Sequence, residues 1–145
     1  MKHHVIEAPI PVDVYRQLRV GSGLSAKSAE AAEAGLKNTL YSVLVKSHET
    51  PIGMGRLVGD GGTACQVVDV CVLPEFQGQG VGKMILSHIM HYVTHSLPET
   101  CYVSLIADGD AKYLYEKFGF QLTEPKSAGM YYEVNHEESI GKELL

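Results

Sequence analysis

The chain has 145 residues, 45% of them apolar, three cysteines and a formal charge of −5. That length can bury one good core and not two, so a single domain spanning 1–145 is expected, and an acidic balance without any Lys/Arg cluster argues against nucleic acid as a primary partner. No apolar run reaches the length of a membrane span, and Met1-Lys2-His3-His4 leads straight into strand-like sequence rather than a signal peptide, so no membrane partner is expected and a cytoplasmic protein is the default.

Along the chain, His3 to Ala8 reads as a first strand stopped by Pro9 and Pro11, and Pro11 with Asp13 suits the first turn of a short helix running to about Val20. Gly21-Ser22-Gly23 ends that helix, and Ser25 or Ser28 can cap a second one reaching Leu40, with Glu30 and Glu33 in its first half. Tyr41 to Lys46 and Ile52 to Val58 form a hairpin around His48-Glu49-Thr50-Pro51, and Gly59-Asp60-Gly61-Gly62 turns the chain into a long strand, Thr63 to Leu73. A glycine-studded turn follows. Beyond it Val81, Met84, Ile85, Leu86, Ile89, Met90 and Val93 share one broad helical face, and Cys101 to Ala107 is a compact β run after Pro98. Ala111, Leu114, Tyr115 and Phe118 repeat at helical spacing with Gly119 as the cap; Phe120–Leu122 and Met130–Val134 read as closing strands. The polar segment 135–145 reads as a tail.

The segment Val70-Cys71-Val72-Leu73-Pro74-Glu75-Phe76-Gln77-Gly78-Gln79-Gly80-Val81-Gly82-Lys83 carries the chemistry: a strand delivers a turn in which glycines alternate, and a helix begins at once. Successive backbone N–H groups converge in such a turn, and the helix N-terminus adds partial positive charge, so a pyrophosphate can be held without a basic side chain. Two common nucleotide motifs are excluded by the letters. A Walker A loop needs Gly where Gln77 stands and Ser or Thr where Met84 stands, and a dinucleotide fingerprint needs G-x-G-x-x-G where Gly78, Gly80 and Gly82 run G-x-G-x-G.

Gln77, Gly80 and Gly82, following Val72 and Pro74, meet the pattern Gln/Arg-x-x-Gly-x-Gly/Ala, which resembles the acetyl-CoA loop of the GNAT superfamily of N-acetyltransferases. A second block, Ala111-Lys112-Tyr113-Leu114-Tyr115-Glu116-Lys117-Phe118-Gly119-Phe120, is similar to that superfamily's later helix, and one helix and one strand separate the two blocks as in the family. The resemblance implies an α/β (α+β) fold with a mixed, mostly antiparallel central sheet, flanking helices and a splayed cleft for acetyl-CoA. It implies pyrophosphate contacts from Gln77, Gly78, Gln79, Gly80, Val81, Gly82 and Lys83, and pairing of pantetheine along Val70, Cys71 and Val72. Asp108 stands where relatives often carry Asn; an ionised Asp accepts a hydrogen bond but donates none. Ser104-Leu105-Ile106-Ala107-Asp108 with Leu114-Tyr115 and Gly129-Met130 resembles bacterial and plastid arylalkylamine-type members.

Acetyl transfer to an amine needs a neutral nitrogen, a polarised thioester carbonyl and a proton for the departing thiolate. An alkylamine titrates near ~10, so its proton must first be removed. Asp69 interrupts the apolar strand Val67-Val68-Asp69-Val70 and is the candidate base; the alternative is a strand carboxylate held by structural hydrogen bonds. Gln66, where some members carry their base, cannot take a proton. The resemblance makes Tyr115 the acid for the thiolate, against an alternative as plain core packing. Cys71 as a nucleophile lacks a histidine at a recognisable spacing, and Cys65, Cys71 and Cys101, odd in number and without C-x-x-C, read as small buried hydrophobes. His88, His91 and His95 flank the apolar face of their helix with no carboxylate or thiol to complete a metal site and read as exposed. Gly129-Met130-Tyr131-Tyr132 is either a wall of the acceptor pocket or a plain closing strand.

The expectation is therefore an enzyme moving the acetyl group of acetyl-CoA to a primary amine of a small molecule. The alternatives are a protein-amine acetyltransferase, a non-catalytic acyl-CoA-binding module, and a nucleotide-recognising domain against which the missing motifs count. The net charge mildly favours cationic acceptors. If the chain self-associates, a homodimer is expected.

Overall fold

The computed structural model describes residues 3–135. Strand β1 (His3–Ile6) leads through Pro9 and Pro11 into helix α1 (Val12–Gly21), and helix α2 (Ala29–Leu36) follows. Of the two serines, Ser28 caps α2, its hydroxyl accepting from the Ala31 N–H at 3.0 Å. The helix stops four residues short of Leu40, because Thr39 and Leu40 turn away to meet the sheet; the Leu40 N–H donates to the Leu57 carbonyl at 2.9 Å. Strands β2 (Tyr41–Ser47), β3 (Thr50–Gly59) and β4 (Ala64–Val72) form an antiparallel meander, and helix α3 (Val81–Ser96) crosses to β5 (Tyr102–Ser104). A 3₁₀ turn at Gly109–Ala111 leads into the short helix α4 (Lys112–Glu116). The sheet order is β1-β2-β3-β4-β5, antiparallel throughout except for β4 with β5.

The two faces of the sheet bury different partners. On one, Ile85, Leu86 and Ile89 of α3 are wholly buried against Val43, Val45, Ile52 and Leu57. Each such side chain contributes about 1.5–3 kcal/mol. A Cβ on Gly55 would lie 2.6 Å from Ile85 and 2.9 Å from Ile89, so glycine there is what lets α3 settle onto β3. On the other face Tyr15 and Leu18 of α1 and Ala32 of α2 pack on Leu44, Met54 and Cys71.

The closing strands do not form. Phe120–Leu122 and Met130–Val134 carry no strand, and Met130, Tyr131, Tyr132 and Val134 are largely exposed. β5 is likewise three residues rather than the expected seven, since its pairing with β4 ends at Ser104. Beyond Asn135 the expected polar tail lies outside the described residues. No helix among the described residues is long and apolar enough to cross a membrane.

Candidate active site

The site begins where two strands part. β4 and β5 pair only over Ala64–Gln66 with Tyr102–Ser104; β4 continues to Val72 while the other strand turns off towards α4. The β4 edge along Val67–Val72 is thus left open on that side, facing a cleft of about 590 Å³ walled by Tyr15, Arg19, Lys27, Arg56, Asp69 and Tyr115. Asp108, Gln66 and Val70 line the same cleft, so positions spread over two strands, two α-helices and the loops between them converge there.

Asp69 enters the site through a bulge. The β3–β4 register shifts between Met54 and Arg56, and Asp69 has φ +59°. An extra residue in one strand inverts the alternation after it: Val67 faces α3, as do Val70 and Val72, while Cys71 packs with α1. Asp69 is turned to the α1 face, where both carboxylate oxygens are taken. Oδ1 accepts from Arg19 Nη1 at 2.6 Å and from the Tyr15 hydroxyl at 3.0 Å; Oδ2 accepts from Arg56 Nη1 at 2.7 Å. The guanidinium groups are tied further. Arg19 donates to the Ser25 carbonyl and hydroxyl, Arg56 to the Thr39 hydroxyl and the Gly35 carbonyl. Arg56 also stacks over the Tyr15 ring at 5.6 Å. All three charges are more than nine-tenths buried. For the expected base this is an unsuitable setting, since a proton on either oxygen would displace a guanidinium donor and leave a buried cation without its counter-charge.

The glycine turn expected to hold a pyrophosphate has positive-φ glycines and opens straight into α3. After the 3₁₀ turn Pro74–Phe76, the Gln77 side-chain amide donates to the Val72 carbonyl at 3.1 Å, tying the loop back to the strand end. Gly78 and Gly80 have φ +79° and +82°, a region that side-chain-bearing residues rarely enter, and open space surrounds both Cα positions. Gly80 precedes α3, whose first intrahelical bond runs from Met84 N–H to the Gly80 carbonyl, so the N–H groups of Val81, Gly82 and Lys83 have no partner inside the helix. An unobstructed cradle of free donors at the head of a sixteen-residue helix fits a pyrophosphate. Gln79 is turned aside, its Oε1 3.1 Å from His3 Nε2.

Tyr115 stands on the opposite wall, half-buried, its ring edge-on to Phe120 at 6.0 Å. Burial raises its pKa above the ordinary phenol value, and the charge on Asp108 acts in the same direction. The hydroxyl therefore keeps its proton at neutral pH, as an acid must. Asp108 itself is exposed at the cleft mouth. The Cys71 thiol is buried, lies 3.8 Å from the Leu18 carbonyl, and is pushed up to about 11 by desolvation, which suits a packing role and opposes nucleophilic attack. Cys65 and Cys101 touch, Sγ to Sγ 3.7 Å. His91 and His95 are exposed and stacked on each other, and no metal-binding group of side chains occurs among the described residues. Met130, Tyr131 and Tyr132 are not among the residues lining the cleft.

Sequence reasoning found Asp69 and missed Tyr15, Arg19 and Arg56. A signal was present: Arg56 interrupts the apolar run Ile52–Val58 as Asp69 interrupts its own strand, and opposite charges inside adjacent apolar strands are each other's natural partner.

Residues 38–122 match the acetyltransferase (GNAT) domain family, which is more than half of the chain. The chain belongs to that family. A probable acetyltransferase from meticillin-resistant Staphylococcus aureus is 47% identical and superposes with a TM-score of 0.87 over 91% of this chain and 99% of its own. The uncharacterized N-acetyltransferase ycf52 of Pyropia yezoensis is 26% identical over 120 residues, 80% of this chain and 68% of its own length. Histone acetyltransferase TAP1 of Glycine max is 29% identical over 139 residues, and the chain spans 59% of its length.

Proposed function

We propose that the protein transfers the acetyl group of acetyl-CoA directly to a primary amine of a small molecule. The observation that supports this most is the continuity of one surface: an open N–H cradle at Gln77–Lys83, an unpaired strand edge along Val70–Val72, and a cleft beyond it containing a protonated phenol. Acetyl-CoA supplies an activated acyl group: as the amine nitrogen bonds to the carbonyl carbon, the carbon–sulfur bond breaks and the thiolate must gain a proton. Tyr115 gives that proton from a hydroxyl held neutral by its surroundings. Asp69, committed to Arg19 and Arg56, shapes the acceptor wall, and the amine proton leaves through water in the cleft.

The cleft interior departs from the overall charge of −5. It presents Arg19, Lys27 and Arg56 against Asp69 and Asp108, and Lys27 makes no ion pair among the described residues. This favours an acceptor that carries, besides its amine, an anionic or hydrogen-bond-accepting group for Lys27, in place of the simple cation the net charge suggested. A protein-amine acceptor is the second reading, favoured by relatives named for such activity: the soybean histone acetyltransferase, and the ribosomal protein bS18-alanine N-acetyltransferase of Haemophilus influenzae, 25% identical over 105 residues, 56% of this chain and 72% of its own length. The test is release of free thiol from acetyl-CoA across a panel of amines with and without a carboxylate or phosphate, alongside amino-terminal and lysine peptides. Small anionic amines are expected to be turned over best. Turnover of peptides alone, or binding of acetyl-CoA with no amine-dependent release, would overturn the proposal.

A further inference from the structure

The mouth of the phosphate cradle carries one side chain that the reaction does not use. Gln79 stands between Gly78 and Gly80, both in the left-handed region, and is exposed. Its amide oxygen is a hydrogen-bond acceptor placed just ahead of α3. The N–H groups of Val81, Gly82 and Lys83 have no partner inside that helix, and a pyrophosphate must reach these donors. A polar side chain at the head of a helix commonly accepts from its first N–H groups, so a free Gln79 oxygen would compete with the phosphate for the same donors.

In this protein that oxygen is engaged elsewhere. Gln79 Oε1 lies 3.1 Å from Nε2 of His3, seventy-six positions earlier in the chain. The imidazole is placed by the sheet: His3 pairs with Ser47 across β1 and β2, alternates onto the same face as Val5, which packs towards α3, and meets the Phe76 ring edge-on at 6.3 Å. Its Nδ1 is buried with no hydrogen-bond partner among the described residues. An orphaned buried N–H is costly, so the neutral ring carries its proton on Nε2, which then donates to the Gln79 oxygen.

We propose that His3 is a positioning residue for acetyl-CoA: by holding Gln79 Oε1 against β1, it keeps the N–H groups at the head of α3 free for the pyrophosphate. The inference rests on the phosphate-loop reading and adds to it a residue from the opposite end of the sheet order, outside the glycine turn itself.

The experiment is a double-substitution cycle read by calorimetry with acetyl-CoA. His3→Phe keeps an aromatic ring against Phe76 and loses the donor, so the dissociation constant is expected to rise about three- to tenfold, the worth of one hydrogen bond. KM for acetyl-CoA should rise with it, while kcat and KM for the acceptor hold. In a Gln79→Ala background the competing oxygen is gone, and His3→Phe is expected to shift the constant by less than about twofold. Should His3→Phe fold poorly by thermal unfolding, His3→Ala runs the same cycle. An unaltered constant in the His3 variant, an equal rise in both backgrounds, or a Gln79→Ala chain that binds acetyl-CoA as weakly as the His3 variant would each overturn the proposal. Gly80→Val tests the cradle separately: if it abolishes binding while the cycle shows no coupling, the phosphate-loop reading stands and the role of His3 falls.

Discussion

Replacing Asp69 by Asn isolates the charge at the centre of the cleft wall. The backbone is left alone, because Asn is among the few residues that tolerate the left-handed φ of +59° found here. The hydrogen bonding is not. An amide keeps one acceptor and offers a donor in place of the other, so whichever way it turns, an NH2 group meets an Arg Nη1 that now stands 2.6 or 2.7 Å from an oxygen. Two guanidinium groups, both nearly buried, would then share a site with no counter-charge. Breaking a buried pair by removing one partner costs about 3–5 kcal/mol. For a chain of this size that corresponds to a fall in melting temperature of roughly 6–20 °C.

The assay is thermal or urea unfolding of both proteins with and without acetyl-CoA, followed by turnover at matched folded concentration. The expected result is a large loss of stability, with turnover altered through KM for the acceptor because the cleft wall is loosened. The competing expectation, that Asp69 receives the amine proton, makes the opposite forecast: a melting temperature within a degree or two of wild type, a fall in kcat at neutral pH, and recovery as pH rises and more amine is already neutral. That second pattern would refute the structural argument made for this network.

Tyr115→Phe preserves the ring contact with Phe120 and removes only the hydroxyl, so acetyl-CoA affinity should hold while kcat falls by about ten- to a thousandfold; wild-type turnover would leave protonation of the thiolate to water. The direction of the Tyr115 shift fixes a pH limb: since burial and Asp108 raise the phenol, activity dependent on it should persist through pH of about 10 and be lost only above it, and the limb should vanish in Tyr115→Phe. Gly80→Val puts a β-branched side chain at φ +82° and fills the open cradle, so calorimetry should show acetyl-CoA binding abolished in a protein that remains folded; unchanged affinity would remove the phosphate-loop assignment.

Much of the fold was legible because its signals are local. The alternating glycines, the proline stops and the apolar face of α3 specify a strand, a turn and a helix wherever they occur, and the structure places them within a few residues of expectation. What was not legible depends on neighbours distant in sequence. The Asp69 bulge is set by a mismatch in register against β3, which no pattern within β4 announces, and it decides that the carboxylate faces Arg19, fifty positions away. The α4 block was read correctly as a helix but too long, since only five residues from Lys112 to Glu116 hold the α-helical ladder before Gly119.

The failure of the closing strands is of a different kind, and it bears on function. Composition specified a strand at Met130–Val134 for sound reasons: β-favouring residues, alternation and a preceding glycine. A strand is stable only when its backbone groups have partners, however, and no strand pairs with this segment among the described residues. β5 ends early for the complementary reason, having lost its neighbour on the outer side while its inner neighbour β4 diverges to open the cleft. The same short strand therefore ends where the cleft opens, with its outer edge unpaired among the described residues.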